Sequence, residues 1–379
     1  DSLALHKRYR GKLEIKSRAK VTQKNLQLLY TPGVAAVSKV IAKKKSLVYD
    51  YTNKWNSIAI VSDGSRVLGL GNIGPEAALP VMEGKAIIFK TLGNVDAIPI
   101  CLATQKAKEI VETVKRIAPV FGGINLEDID APKCFEVEEK LIKALDIPVF
   151  HDDQHGTAVV TAAALENALR ATKRNSSDVK IVVAGAGAAG IAIVKLLSHY
   201  KFKDIIAVDS KGAIYKGRKA GMNPYKKEIA KITNVENVQD DIRGALINAD
   251  VVIGVSGIPD MLKPQDIKLM TRNPIVFALT NPGPEILPSD AKKAGAAVIG
   301  TGRSDFPNQI NNSLVFPGFF RGLLDSRAKK VTDEMKLNAT HALARLVRNP
   351  NKNRILPDTT DKKVVKAVSK AVYDTAKKQ

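Results

Sequence analysis

The run Lys180-Ile181-Val182-Val183-Ala184, followed at once by Gly185-Ala186-Gly187-Ala188-Ala189-Gly190, constrains this chain more than any other stretch. A continuous apolar run bounded by glycine reads as a buried strand. The glycines fit the pattern GxGxxG, and an apolar helix is expected to follow to Leu197. The next strand is Ile205-Ile206-Ala207-Val208-Asp209, which places an acid 19 residues after Gly190. That is near the spacing of the carboxylate that takes a ribose in dinucleotide-binding folds. A lone GxGxxG says little. Strand, glycines, helix, strand and acid in this order point to a bound dinucleotide, with Gly185, Gly187, Ala188, Ala189, Gly190 and Asp209 as the expected contacts.

Three more strands continue the pattern, at 251–255, 275–279 and 297–300. Each runs into turn residues: Ser256-Gly257, Thr280-Asn281-Pro282-Gly283 and Thr301-Gly302. This is the layout of a doubly wound sheet, and it adds Ser256 to the expected cofactor contacts. Upstream, strands at 57–62, 97–102, 120–124 and 147–150 alternate with helices at 76–88, 107–117 and 134–145. Such alternation implies a second parallel sheet. Residues 67–70 read as a short strand that makes a hairpin with 57–62, and Pro80 is expected to break or kink its helix. Residues 1–29 read as helical, with Val21, Leu26, Leu28 and Leu29 as a buried face. Pro32-Gly33 forces a turn, a helix resumes to Lys45, and residues from Leu323 onward are helical with a break at Asn349-Pro350. The expected fold class is α/β: an N-terminal α/β substrate domain (1–157), a doubly wound Rossmann-type domain (158–325) and a C-terminal helical segment (326–379).

A chain of 379 residues has room for such a plan. Its two cysteines, Cys101 and Cys134, form no CxxC pair and cannot make a disulfide framework, so a reducing, cytoplasmic setting is expected. The first residues carry no apolar signal-peptide core. The longest uncharged stretch, Ile181 to Val194, is too short to span a bilayer, so no membrane partner is expected. The net charge of +21 raises the question of nucleic acid, but the basic residues are spread along the chain and only 5% of residues are aromatic. No nucleic-acid partner is expected; steering of small anions suits the charge better.

The chemistry-bearing residues collect at strand exits. Phe150-His151-Asp152-Asp153-Gln154-His155-Gly156-Thr157 sets two carboxylates and two histidines between a strand and an Ala-rich helix, where open α/β sheets place ligands. A solvated turn with a helix cap is the plainer reading of the same residues. Asn125-Leu126-Glu127-Asp128-Ile129 is a second pair of acids at a strand exit. Glycines at 69, 71 and 74 allow close backbone approach just before a helix that carries Lys85. Tyr30, beside the Pro32-Gly33 turn, is either a packed aromatic or an acid.

Taken together, these motifs resemble those of the malic enzymes, in particular the short bacterial and archaeal type. The resemblance rests on Leu29–Ala35 (LYTPGVA), Asp63–Gly74 (DGSRVLGLGNIG), Gly84-Lys85, Asn125–Ile129 (NLEDI), Phe150–Thr157 (FHDDQHGT), the GAGAAG turn, Thr280–Glu285 (TNPGPE) and Asn311–Gly318 (NNSLVFPG). It implies oxidative decarboxylation of malate to pyruvate and carbon dioxide, a nicotinamide cofactor (NAD or NADP), a divalent cation and a homodimer. Matched residue by residue, it makes Glu127, Asp128 and Asp153 metal ligands, Lys85 the general base and Tyr30 the general acid. Arg66 matches the residue that holds a substrate carboxylate, and Asn281 and Asn312 match residues that line the substrate and nicotinamide site, Asn281 touching the cofactor as well. The segments that carry allosteric sites in the large animal enzymes have no counterpart, so the resemblance implies no regulation.

Three carboxylates without a cysteine suit Mg²⁺ or Mn²⁺; His151 and His155 keep zinc open as the other reading. Lys85 needs a depressed pKa to act as base, and Asp152 is placed to relay its proton. A dehydrogenase that does not decarboxylate would not need the three acids, and the same acids argue against an amino-acid dehydrogenase. A nucleotide-sensing protein would not need so many reactive side chains outside the cofactor half. For the cofactor, Asp209 favours NAD by repelling a 2′-phosphate, while Ser210 and Lys211 offer a route to NADP.

Overall fold

The computed structural model describes residues 1–378. Two sheets organise them. The first contains β1 (Ser57–Ser62), β2 (Asp96–Cys101), β3 (Gly123–Leu126) and β4 (Val149–His151), in the order β2-β1-β3-β4. All of its pairings are parallel. The second contains β5 (Lys180–Ala184), β6 (Asp204–Asp209), β7 (Gly212–Ala213), β8 (Val251–Gly254), β9 (Ile275–Ala278) and β10 (Val298–Thr301), in the order β10-β9-β8-β5-β6-β7. Only the short β7 runs antiparallel, on the edge beside β6. From β5 the chain moves first to β6 on one side and later to β8 on the other. The reversal opens a crevice at the carboxyl end of β5, where the GAGAAG turn lies, as in doubly wound folds. Every residue of β1, β3, β5 and β8 is buried, which is what strands covered on both faces require.

The parallel sheet rules out the expected hairpin. β1 is paired on both sides, by β2 and by β3, so no edge is left for residues 67–70. They close instead as a tight loop with a single bridge, in which the Val67 amide donates to the Gly71 carbonyl at 2.9 Å. Pro80 does not break its helix, which runs from Gly74 to Gly93. The buried stripe Ala78, Met82, Lys85, Ala86 and Phe89 continues past it, and packing of that stripe outweighs the one lost backbone bond.

The N-terminal expectation also fails. Helices cover only Ser2–Tyr9 and Gln23–Leu29, and Val21, Leu26, Leu28 and Leu29 are all exposed. A helix of seven residues has too short a face to bury itself without a partner. Val34–Lys43 forms the next helix.

The last helices return to the first half. A helix begins at Phe316, earlier than expected, with Pro317 in its first turn, and runs to Ser326. Helices at Asp333–Arg345 and Lys362–Ala376 follow. Gly322 lets the last of these approach closely: a Cβ there would lie 2.5 Å from the Ser369 carbonyl oxygen and 2.7 Å from Val372 Cβ. Phe316 then stacks on Phe89 with ring centroids 4.6 Å apart, and Phe319 on Phe150 at 4.7 Å. One continuous core therefore joins both sheets and the final helix. No helix of the described residues is long and apolar enough to cross a membrane.

Gly322→Val is expected to force Lys362–Ala376 off its seat and to destabilise the protein by about 2 kcal/mol, the usual cost of overpacking. Urea denaturation of the variant against the parent measures it; an unchanged midpoint would show that the helix contact is slack.

Candidate functional site

The site lies where β3 and β4 end side by side. Glu127 leaves β3 with its amide still bound to the Val61 carbonyl at 2.9 Å. Asp128 then takes a left-handed backbone conformation, φ 53°. Such a conformation is uncommon for a residue other than glycine and is often found at working sites. It is held from both sides: the Arg66 amide donates to the Asp128 carbonyl at 3.0 Å, and the Asp128 amide donates to Asp153 Oδ2 at 2.8 Å. Beyond β4, Asp152–Gly156 forms one π-helical turn. Extra-wide turns of this kind recur at functional sites because they redirect successive side chains.

These two exits bring one carboxylate oxygen each from Glu127, Asp128 and Asp153 within 4.8 Å of one another. Lys85, on the buried stripe of its helix, reaches into the group. Its Nζ is 2.6 Å from Glu127 Oε1, pairs with Asp152, and sits 4.4 Å above the Phe316 ring. Asn312 lies alongside: a Cβ on Gly156 would be 3.3 Å from Asn312 Cβ and would collide with the Asp152 carboxylate.

Burial sets the electrostatics. It pushes the Asp128 carboxyl up to about 8, with Asp153 adding to the effect. It raises Glu127 as well, against the pull of Lys85, and brings Asp152 to about 6. Burial works to lower the Lys85 pKa, yet Asp152, Glu127 and Asp153 outweigh it and hold the ammonium above the ordinary lysine value. The depressed lysine expected from the sequence is therefore reversed in this arrangement, because its ammonium is the counter-ion of two buried acids and the half-buried Asp153. Asp128 Oδ2 and Asp152 Oδ1 are buried without a hydrogen-bond partner. Crowded, neutralised, partly orphaned carboxylates are what a divalent cation would satisfy. The all-oxygen donor set fits Mg²⁺ or Mn²⁺. Neither histidine joins the triad among the described residues. His151 is buried, its pKa lowered by burial, with Nε2 3.4 Å from Asp153 Oδ2, and His155 turns to Glu138.

Glu138 is a residue that the motif reading missed. It sits on the buried face of the helix Lys133–Ala144 and clamps the π turn. Its Oε1 accepts from the His151 amide at 3.1 Å and lies 2.9 Å from His155 Nε2, while Oε2 accepts from Gln154 Nε2 at 2.9 Å. Burial alone would raise this carboxyl; His155, His151 and Lys336 more than reverse it and hold it at about 2. An acid on the same stripe as Cys134, Val137 and Leu141 was the available signal.

The remaining expected residues divide into those near the cleft and those elsewhere. Arg66 crosses toward the exit of β8, where its Nη2 would lie 2.4 Å from a Cβ on Gly257. The neighbouring Gly69 packs against the Asn281 carbonyl, 2.5 Å from where its own Cβ would be. Ser256 is engaged by Glu285: its amide donates to Oε1 at 2.8 Å and its hydroxyl at 3.0 Å. Glu285 is fully buried, takes the Thr280 amide at 3.2 Å, and was quoted within a motif without a role. The turn Gly185–Gly190 is tight: a Cβ on Gly190 would meet the Gly185 carbonyl oxygen at 1.8 Å. Ala188 and Ala189 open the helix that follows. Asp209 ends β6 with its carboxylate enclosed by Arg218 and Lys226, neither of which the sequence reading named. Tyr30 is 65% exposed, and among the described residues its phenol makes no hydrogen bond to the buried acids.

A glycine-rich turn at a switch point, whose helix packs on the π turn beside a buried lysine and a cation-sized carboxylate triad, is the arrangement of a dinucleotide-dependent oxidoreductase. The family models "Malic enzyme, N-terminal domain" and "Malic enzyme, NAD binding domain" match residues 10–142 and 154–377. A bifunctional malic/malolactic enzyme of Bacillus subtilis is 54% identical over 379 residues, 99% of this chain and 92% of that one. A NAD-dependent malic enzyme of Geobacillus stearothermophilus is 52% identical over 97% of this chain and 77% of its own length. The crystal structure of a NAD-dependent malic enzyme from Thermotoga maritima superposes with a TM-score of 0.95 at 49% identity, covering 98% of this chain and 99% of that one. The chain belongs to the malic enzyme family.

Asp153→Asn is expected to weaken Mn²⁺ binding by more than about tenfold; calorimetric titration that finds parent affinity would remove Asp153 from the triad. Glu138→Gln is expected to lower stability by about 3 kcal/mol near pH 6, the worth of a carboxylate held at about 2 instead of the usual value near 4.3. The Glu138 pKa is depressed on folding, so its contribution is complete above the unfolded value. It is lost as pH falls from about 5 toward 2. Parent and variant denaturation midpoints should therefore converge across that window.

Proposed function

We infer that this protein oxidises malate at C2 with NAD or NADP and releases pyruvate and carbon dioxide, with Mg²⁺ or Mn²⁺ as cofactor. The carrying observation is Lys85, buried and bonded to both Glu127 and Asp152 at the mouth of the carboxylate triad. Glu127, Asp128 and Asp153 would hold the cation, which when bound acidifies the C2 hydroxyl of malate and polarises the C2 carbonyl that follows; the dinucleotide accepts the hydride.

The protein's own groups do the rest. Lys85 is the general base toward the C2 hydroxyl. Once Glu127 is neutralised, only Asp152 among its bonded partners still favours the ammonium, so its pKa falls toward a working value. Asp152, buried and brought to about 6, receives the proton from Lys85 and passes it on. Arg66 holds a substrate carboxylate, and Asn281 and Asn312 line the substrate and nicotinamide side. The cleft walls exclude water from the C4 carboxylate as it leaves. Tyr30 returns a proton to C3 and converts enolpyruvate to pyruvate. We assign residues 1–157 to substrate binding and chemistry, 158–325 to the dinucleotide and 326–379 to a helical cover, in a cytoplasmic enzyme.

The protein works as a homodimer in this reading. Support comes from the N-terminal face, where Leu26, Leu28, Leu29, Tyr30 and Val34 are all exposed within one short span. A second subunit covering that face would bury apolar surface and carry Tyr30 into an active site.

Product analysis with malate, each dinucleotide and Mn²⁺ tests the reaction. Pyruvate and carbon dioxide in equal amounts are expected; oxaloacetate alone would make the protein a simple dehydrogenase, and lactate would add the second activity in the name of the Bacillus subtilis relative. Lys85→Ala should lose malate oxidation by more than about a thousandfold, while Tyr30→Phe should keep oxaloacetate reduction and lose pyruvate tautomerisation. Equal loss of oxaloacetate reduction in both variants would dismiss the division of roles. Mixing the two inactive variants should restore part of the activity if Tyr30 acts across the dimer.

A further inference from the structure

Asp209 stands where a ribose acceptor is expected, but its carboxylate is already full. Oδ1 accepts from the Lys211 amide at 2.8 Å and from Arg218 Nη1 at 3.0 Å. Oδ2 accepts from Arg218 Nη2 and from Lys226 Nζ, the latter at 2.6 Å. Four donors use the four lone-pair positions of a carboxylate. To take two ribose hydroxyls, Asp209 would have to shed a charged partner.

Arg218 cannot be that partner. Its side chain is only 3% exposed; the Nη1 that binds Asp209 also reaches the Gly212 carbonyl at 2.9 Å and the Ala213 carbonyl at 3.2 Å, and Nε reaches Met222 Sδ at 3.2 Å. The bidentate fork fixes Asp209 in place. Lys226 lies nearer the surface, its side chain 17% exposed, and is steadied by the Gly221 carbonyl at 3.1 Å. The exposed Lys211 lays its stem over Gly221, its Cγ 3.1 Å from where a Cβ would be. One negative charge meets three positive ones, which leaves this end of the crevice at +2. The repulsion that an unpaired Asp209 would direct at a 2′-phosphate is cancelled and reversed.

We propose that this end of the dinucleotide site is built for a 2′-phosphate: Lys226 and Lys211 bind it, the Ser210 hydroxyl is a further donor, and the Arg218–Asp209 pair is the bracket that positions Lys226. The protein then binds NADP at least as tightly as NAD, the reverse of the order that Asp209 suggested from sequence. The proposal rests on the dinucleotide reading of the turn after β5, and it makes Lys226 the residue that sets cofactor choice.

Equilibrium titration of the purified protein with NAD, NADP and 2′,5′-ADP, followed by calorimetry, tests it without reference to turnover. The expected result is NADP affinity equal to or above that of NAD and measurable binding of 2′,5′-ADP. In Lys226→Gln, NADP affinity should fall about tenfold more than NAD affinity, the loss of one charged contact. Circular dichroism checks that the variant is folded; if it is not, Lys211→Gln and the 2′,5′-ADP titration of the parent decide the question. NAD bound more tightly than NADP, or equal weakening of both in Lys226→Gln, would overturn the proposal and leave the dinucleotide reading standing. Binding of neither dinucleotide would overturn both.

Discussion

The ammonium of Lys85 inside a nest of carboxylates is the interaction on which this structure turns. Glu127, Asp128 and Asp152 are buried together beside the half-buried Asp153, and burial with this crowding raises the carboxyl pKa of all three. Such a group is tolerable only with a cation among it. Lys85 supplies one charge, and the orphaned oxygens of Asp128 and Asp152 ask for more. The all-oxygen geometry suits a small, hard, doubly charged ion, and the contact between Lys85 and Glu127 ties the lysine's protonation state to what else Glu127 engages.

The fold supplies the rigidity this needs. The acids leave adjacent parallel strands, β3 and β4, whose register pairs Leu126 with His151, so the two loops start level with each other. Asp128 is locked by backbone bonds to both neighbours, and Glu138 anchors the π turn from behind. Lys85 comes from a helix whose stripe is gripped by the core.

Much of this was legible in the sequence. Strand runs at 180–184 and 205–209, the glycine turn between them and the acids at strand exits were visible because burial and tight turns restrict which residues can stand there. What was not legible followed from pairing. Residues 67–70 look like a strand, but both edges of β1 were already taken by segments dozens of residues away. Leu26, Leu28 and Leu29 look like core, but they lie on a seven-residue helix and stay exposed among the described residues. Asp209 was read by its place in a motif, whereas its chemistry is decided by Arg218 and Lys226, nine and seventeen residues further on, in a loop and a short helix with no motif of their own. Glu138 was hidden in the same way, as one acid among several on a helix, distinguished only by the side it faces.

The return of the final helix to the first half has a consequence for how the protein is made. Phe89 belongs to the helix that carries Lys85, and it packs on Phe316 and Phe320, whose own helix is held through Gly318 and Gly322 against the helix Lys362–Ala376. A growing chain emerging from the ribosome can pair β1 to β4 early, but the wall behind Lys85 is finished only when the helix Lys362–Ala376, about 225 residues beyond His151, has been synthesised. Until then the carboxylate nest has an open apolar flank and admits water. The reactive centre is thereby completed only once the helix Lys362–Ala376 has been made, and a chain that lacks this helix lacks the dry surroundings that the chemistry requires.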